Sequence, residues 1–200
     1  MKFWQKLRKT NKPVIIVSGL PRSGTSMMMK MLQAGGIEPV VDNIRAADDD
    51  NPKGYFEFER VKRLDKGDTA WVAEAQGKAV KVISQLLKYL PGDYDYKVIF
   101  MRRAMREILA SQKKMLVNRG EDPNKVSDEE ISALFEKHLQ NVMTWLDTQP
   151  NVATQYIHYG ETLADPQTQA EMVNEFLGGA LDVEGMTAVV DPTLYRNRQK

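Results

Sequence analysis

The stretch 14–18, VIIVS, is apolar and β-branched almost throughout. A continuous run of this kind predicts a strand buried on both faces, as in a parallel sheet. A helix is expected from Thr25, with Met27, Met28, Met31 and Leu32 as its core stripe, stopping at Gly35 and Gly36. The segment EPVVD, residues 38–42, reads as a short second strand ending in Asp42, and residues 43–54 as a polar, turn-rich loop. A charged helix is expected from near Phe56 through ERVKRL, and another from about Asp68 with Trp71 and Val72 on its inner side.

KAVKVI, residues 78–83, fits helix or strand by pattern alone. Its β-branched content and the helical SQLLKYL behind it favour a strand with Lys81 near its end, and Pro91-Gly92 then breaks the chain. YKVIFM, residues 96–101, predicts a strand that feeds a helix over 104–117. Ser127 and Glu130 form a capping box, and Ile131, Leu134, Phe135, Leu139, Val142, Met143 and Leu146 recur at helical spacing, so a long helix is expected to cover the sheet. His138 lies on that stripe and reads as a core histidine. A last strand spans 152–159, and Asp165-Pro166 caps a helix that ends at Gly178-Gly179, followed by an irregular helical tail. Strands alternating with helices predict an α/β fold, a three-layer α/β/α sandwich on a mostly parallel sheet of about 4–5 strands.

Composition adds bounds. The chain has 200 residues, 42% of them hydrophobic, enough for one domain (1–200) that includes a basic leader (1–12) and a basic tail (190–200). A net charge of +1 gives no field of one sign, which argues against nucleic acid as a partner. With no cysteine there is neither a disulfide framework nor a thiolate metal site, and a reducing, cytoplasmic home is expected. No apolar run reaches the roughly 18 to 20 residues that span a bilayer, so no integral membrane segment is expected.

The chemistry concentrates after the strands, where ligands bind in such sheets. GLPRSGTS, Gly19 to Ser26, has the spacing of a phosphate-binding P-loop, G-x-x-x-x-G-K-[ST], with Thr25 at the lysine position. Its glycines let backbone wrap an oxyanion, and the helix start favours negative charge. A nucleoside triphosphatase needs the missing lysine, and the nearby cation is instead Arg22. After the strand at 96–101 come Arg102 and Arg103, with Ser111 eight residues beyond Arg103 and near the same helix face.

The loop PRSGTS after an apolar strand is similar to the 5′-phosphosulfate loop of the PAPS-dependent sulfotransferases, and RAMREILAS, Arg103 to Ser111, resembles their 3′-phosphate motif. The resemblance implies that Arg22, Ser23, Gly24, Thr25 and Ser26 hold the 5′-phosphosulfate of PAPS and that Arg103 and Ser111 hold its 3′-phosphate. It implies an enzyme that moves a sulfuryl group to a hydroxyl or amine on a small-molecule, carbohydrate or peptide acceptor, with PAPS as co-substrate and no metal. Where many of these enzymes carry K-T-H, residues 81–83 keep Lys81 but end in isoleucine. Arg22 and Lys81 are the candidates for the leaving-group charge. With His138 and His158 read as structural, the base is expected to be a carboxylate: Asp42, placed as in tyrosylprotein sulfotransferases, or Glu57. Arg45 is a candidate for an anionic acceptor or a partner of Asp48 to Asp50, and Arg196 and Arg198 for closure over the 3′-phosphate, although the family's R-K-G signature is missing. Two rivals stay open: a P-loop nucleotide or small-molecule kinase, and a non-catalytic module that binds PAPS or its desulfated product.

Overall fold

Four parallel strands form the centre of the computed structural model, which describes residues 12–42 and 56–194. They are β1 (Val14–Gly19), β2 (Ala79–Lys81), β3 (Tyr96–Arg102) and β4 (Val152–His158), in the spatial order β2-β1-β3-β4. The helices are α1 (Thr25–Ala34), α2 (Met105–Asn118), α3 (Asp128–Thr148), α4 (Tyr159–Ala164), α5 (Pro166–Leu177) and α6 (Val183–Ala188). Three 3₁₀ helices, Glu59–Lys66, Ala70–Ala75 and Ser84–Tyr89, lie between α1 and β3. The basic leader to residue 11, the whole loop 43–54 with Arg45, and Arg196 and Arg198 fall outside the described residues.

Strand alternation sorts the side chains of β1 into two cores. Val14 and Ile16 join Val80, Val98, Phe100, Trp71, Val142 and Leu146 on one face. Ile15 and Val17 join Met28, Leu32, Ile99, Ile157, Val173 and Met186 on the other. The sheet is thus covered by the 3₁₀ helices and α3 on one side and by α1, α5 and α6 on the other, the expected three layers. Among the described residues no helix is long and apolar enough to cross a membrane.

Several expectations need correction. The segment 38–42 is not a strand: it makes one bridge, Pro39 to Ala79, flanked by Ala79 N–H to Glu38 O and Val40 N–H to Ala79 O. Its would-be partner β2 is only three residues long, and proline lacks a donor, so the pairing cannot propagate. The helices expected after Phe56 and Asp68 are 3₁₀; in the first, the buried Val61 and Leu64 are three apart and eclipse on one edge. In α1 the fourth fully buried residue is Met29, and Met27 is only partly covered. The C-terminal half of α3 covers the sheet through Val142 and Leu146, whereas Leu134 is 65% exposed. The capping box at Ser127 and the Asp165 cap form as expected.

Candidate functional site

β1 delivers its chain into the loop at the carboxyl edge of the sheet, next to β3. Gly19 (φ 149°) passes so close to its neighbours that a Cβ there would lie 2.5 Å from Ser23 Oγ and 2.7 Å from the carbonyl oxygen of Met101. A tight turn follows, closed by Ser23 N–H to Leu20 O at 3.2 Å. Arg22 takes a left-handed backbone (φ 68°), unusual for a residue with a side chain. Gly24 (φ 100°) is the N-cap of α1, and a Cβ there would overlap the ring of Tyr159.

α1 begins without a side-chain cap and without an acidic residue in its first turn. Its leading N–H groups have no intrahelical acceptors, and the helix dipole adds partial positive charge at this end. Ser23 is 1% exposed, and its hydroxyl has no hydrogen-bond partner among the described residues. The hydroxyl of Ser18, at the end of β1, is in the same condition. Orphaned buried hydroxyls cost free energy, and an oxyanion seated in the loop is an acceptor that would satisfy Ser23. Loop shape, helix end and orphan hydroxyl therefore fit a phosphate-like group.

The two arginine motifs meet. Arg22 Nε donates to Ser111 Oγ at 2.8 Å, and Arg103 NH1 donates to the carbonyl oxygen of Arg22 at 3.0 Å. Arg103 Nε donates to Glu107 Oε2 at 2.9 Å, and the guanidinium lies 4.2 Å from the ring centroid of Tyr159. Burial pushes the Tyr159 hydroxyl above its ordinary pKa, with the charge of Arg103 opposing. Lys81, at the end of β2, reaches Ser26 Oγ over a long 3.5 Å. Eight of the expected residues, Arg22, Ser23, Gly24, Thr25, Ser26, Lys81, Arg103 and Ser111, thus belong to or touch the loop and its neighbour α2.

The carboxylate candidates are placed differently. Asp42 Oδ2 accepts the backbone N–H of Glu59 at 2.6 Å, at the start of the first 3₁₀ helix. Asp42 N–H donates to Glu57 O at 3.3 Å, and Glu57 Oε2 lies 3.6 Å from Lys62 Nζ. His138 Nε2 and Ser84 Oγ are 2.8 Å apart, and burial, with a lesser effect from Lys88, pushes the imidazole below its ordinary pKa. His158 is exposed at the end of β4. Among the described residues no group of three or more His, Asp or Glu is arranged to hold a metal ion.

Glu107 and Tyr159 were not singled out from the sequence. Both had a readable signal: Glu107 is four residues beyond Arg103 on a helix, and Tyr159 directly follows a strand at its carboxyl end.

The sequence matches the sulfotransferase domain family model over residues 12–200. Curated proteins give no sequence match. The fold is similar to the sulfotransferase domain from the Synechococcus PCC 7002 olefin synthase, with TM-score 0.51 and 17% identity over 98% of this chain and 87% of that one. It is similar also to the sulfotransferase domain from the curacin biosynthetic pathway, with TM-score 0.52 and 15% identity over 90% of this chain and 78% of that one. A mouse sulfotransferase complexed with PAP has TM-score 0.53 and 16% identity over 88% of this chain and 62% of that one.

Proposed function

This chain belongs to the sulfotransferase domain family, and we propose that it is a PAPS-dependent sulfotransferase acting on a hydroxyl or amine acceptor. The observation that carries the reading is the continuity of the two anion-binding motifs, joined by Arg22 Nε to Ser111 Oγ and by Arg103 to the Arg22 carbonyl. Two anion sites that share an arginine suit one ligand with two phosphate groups better than two separate ligands. The PAP complex of the mouse enzyme supports the same ligand class.

PAPS, when bound, supplies the sulfuryl group and departs as adenosine 3′,5′-bisphosphate. The loop residues Ser23, Gly24, Thr25 and Ser26 hold its 5′ end through backbone N–H groups and the Ser23 hydroxyl. Ser111 and Arg103 hold the 3′-phosphate. Arg22 and Lys81 place positive charge beside the oxygen that leaves, where charge develops during transfer. Sulfate carries less charge than phosphate, so these cations suffice without a metal.

The acceptor proton goes to a carboxylate, Asp42 or Glu57. Asp42 also caps the first 3₁₀ helix with one oxygen, and Glu57 Oε2 faces Lys62 Nζ. The acceptor is a small molecule, carbohydrate or peptide, and the reaction is an in-line transfer.

The test is a thermal shift with adenosine 3′,5′-bisphosphate against ATP plus magnesium. Bisphosphate at 100 times its Kd should add about 2.7 kcal/mol of apparent stability. That gain should disappear in Arg103→Ala. Stabilisation by ATP with magnesium and none by the bisphosphate would replace this reading with a kinase.

A further inference from the structure

Arg22 bears the one left-handed backbone in the loop that glycine does not supply, and something must hold it there. Its carbonyl oxygen accepts from NH1 of Arg103 at 3.0 Å. Arg103 is itself fixed on two further sides. Glu107 takes its Nε at 2.9 Å, with the two side chains only 8% and 5% exposed, and the ring of Tyr159 lies against its guanidinium at 4.2 Å. Tyr159 occupies as well the space that a Cβ on Gly24 would need, so one ring braces both Arg103 and the second glycine of the loop.

The fold explains why these groups converge. Arg102 and His158 are register partners at the ends of β3 and β4, so the next residues, Arg103 and Tyr159, leave the sheet side by side. Ala104 is the N-cap of α2, which puts Glu107 in the first turn and one helical turn above Arg103. A buried guanidinium without a countercharge is costly, and Glu107 removes that cost while fixing the plane of the fork.

We infer that Glu107 and Tyr159 are positioning residues: acting through Arg103, they hold the Arg22 backbone and so set the shape of the 5′ anion loop. Arg103 is then a brace for the loop in addition to a ligand of the 3′-phosphate. The inference rests on the donor-site reading above for its ligand arm, but not for its structural arm.

The structural arm is amide hydrogen exchange of the free protein, comparing wild type with Glu107→Gln, Tyr159→Leu and Tyr159→Phe. Gln is isosteric, and Phe keeps the ring. Exchange over residues 19–26 should rise roughly tenfold in Glu107→Gln and Tyr159→Leu, the factor expected for losing one charge-assisted contact. It should stay near wild type in Tyr159→Phe, and α3 should be unaffected in all three. The ligand arm measures Kd for 5′-AMP, 3′-AMP and adenosine 3′,5′-bisphosphate. Glu107→Gln and Tyr159→Leu should weaken 5′-AMP roughly tenfold as well as the bisphosphate.

Unchanged exchange over 19–26 in both variants overturns the inference, and so does weakening confined to 3′-AMP and the bisphosphate, which would make Arg103 a 3′-phosphate ligand alone. If wild type binds none of the three nucleotides, the donor-site reading falls, and the exchange data still decide whether the brace exists.

Discussion

At the scale of single residues, the loop between β1 and α1 depends on which positions lack a Cβ. Gly24 and Gly36 both have positive φ, 100° and 95°, so an alanine at either pays a similar backbone strain. They differ in space: a Cβ at Gly36 meets nothing within 4 Å, whereas at Gly24 it would overlap Tyr159. Gly36→Ala should therefore cost about 1 kcal/mol. Gly24→Ala adds overpacking and should cost about 2–4 kcal/mol in all. Urea unfolding of the two variants checks this, and equal costs would mean that the Tyr159 ring moves aside freely. The glycine spacing and the orphan hydroxyl of Ser23 are residue-level facts of different kinds. The spacing is written in the sequence, whereas the burial of that hydroxyl depends on how the folded chain closes around the loop.

At the scale of elements, α3 places His138 beside Ser84, with 2.8 Å between Nε2 and Oγ. Burial, then Lys88, lowers the pKa of His138 in the folded state below the ordinary value of about 6.5. Below that ordinary value the unfolded chain takes up the proton more readily than the folded one. Stability from this group is thus full above about pH 6.5 and is lost as pH falls through the lower folded value. His138→Gln should flatten that part of the stability profile relative to wild type, measured by urea unfolding at a series of pH values. A parallel offset at all pH values would show that only the bond to Ser84 matters.

Elements with strong local signals were legible before the structure. β3 and α2, the capping box of α3 and the Asp165-Pro166 start of α5 all follow from periodicity and cap chemistry. The segment 38–42 misled because its apolar residues look like a strand, while strand formation depends on a partner that proves to be three residues long. The 3₁₀ helices misled for a related reason, since apolar positions three apart satisfy either helix type until packing chooses. Leu134 fits the α3 stripe but lies in the half of that helix beyond the sheet, a matter of length and placement that periodicity does not encode.

At the scale of the whole molecule, function follows from strand order. The chain leaves β1 towards β2 and leaves β3 towards β4, on opposite sides, although β1 and β3 are neighbours. A crevice opens where adjacent connections diverge, and Arg22, Ser111 and Arg103 meet at that point. Their types and spacing could be read from the sequence, but their direct contact could not, because it requires β3 to pair with β1 across a gap of some eighty residues. A ligand bound there should protect amides at the carboxyl edge alone. Hydrogen exchange with saturating adenosine 3′,5′-bisphosphate should slow over 19–26, 102–111 and 158–162, with no change at the amino edge over 91–96 and 149–152. Protection should be largest in the loop, where the N–H groups that begin α1 gain acceptors that the free protein does not provide within the helix. Equal protection at both edges would indicate that the nucleotide tightens the fold as a whole, and protection at the amino edge alone would place the ligand away from the loop.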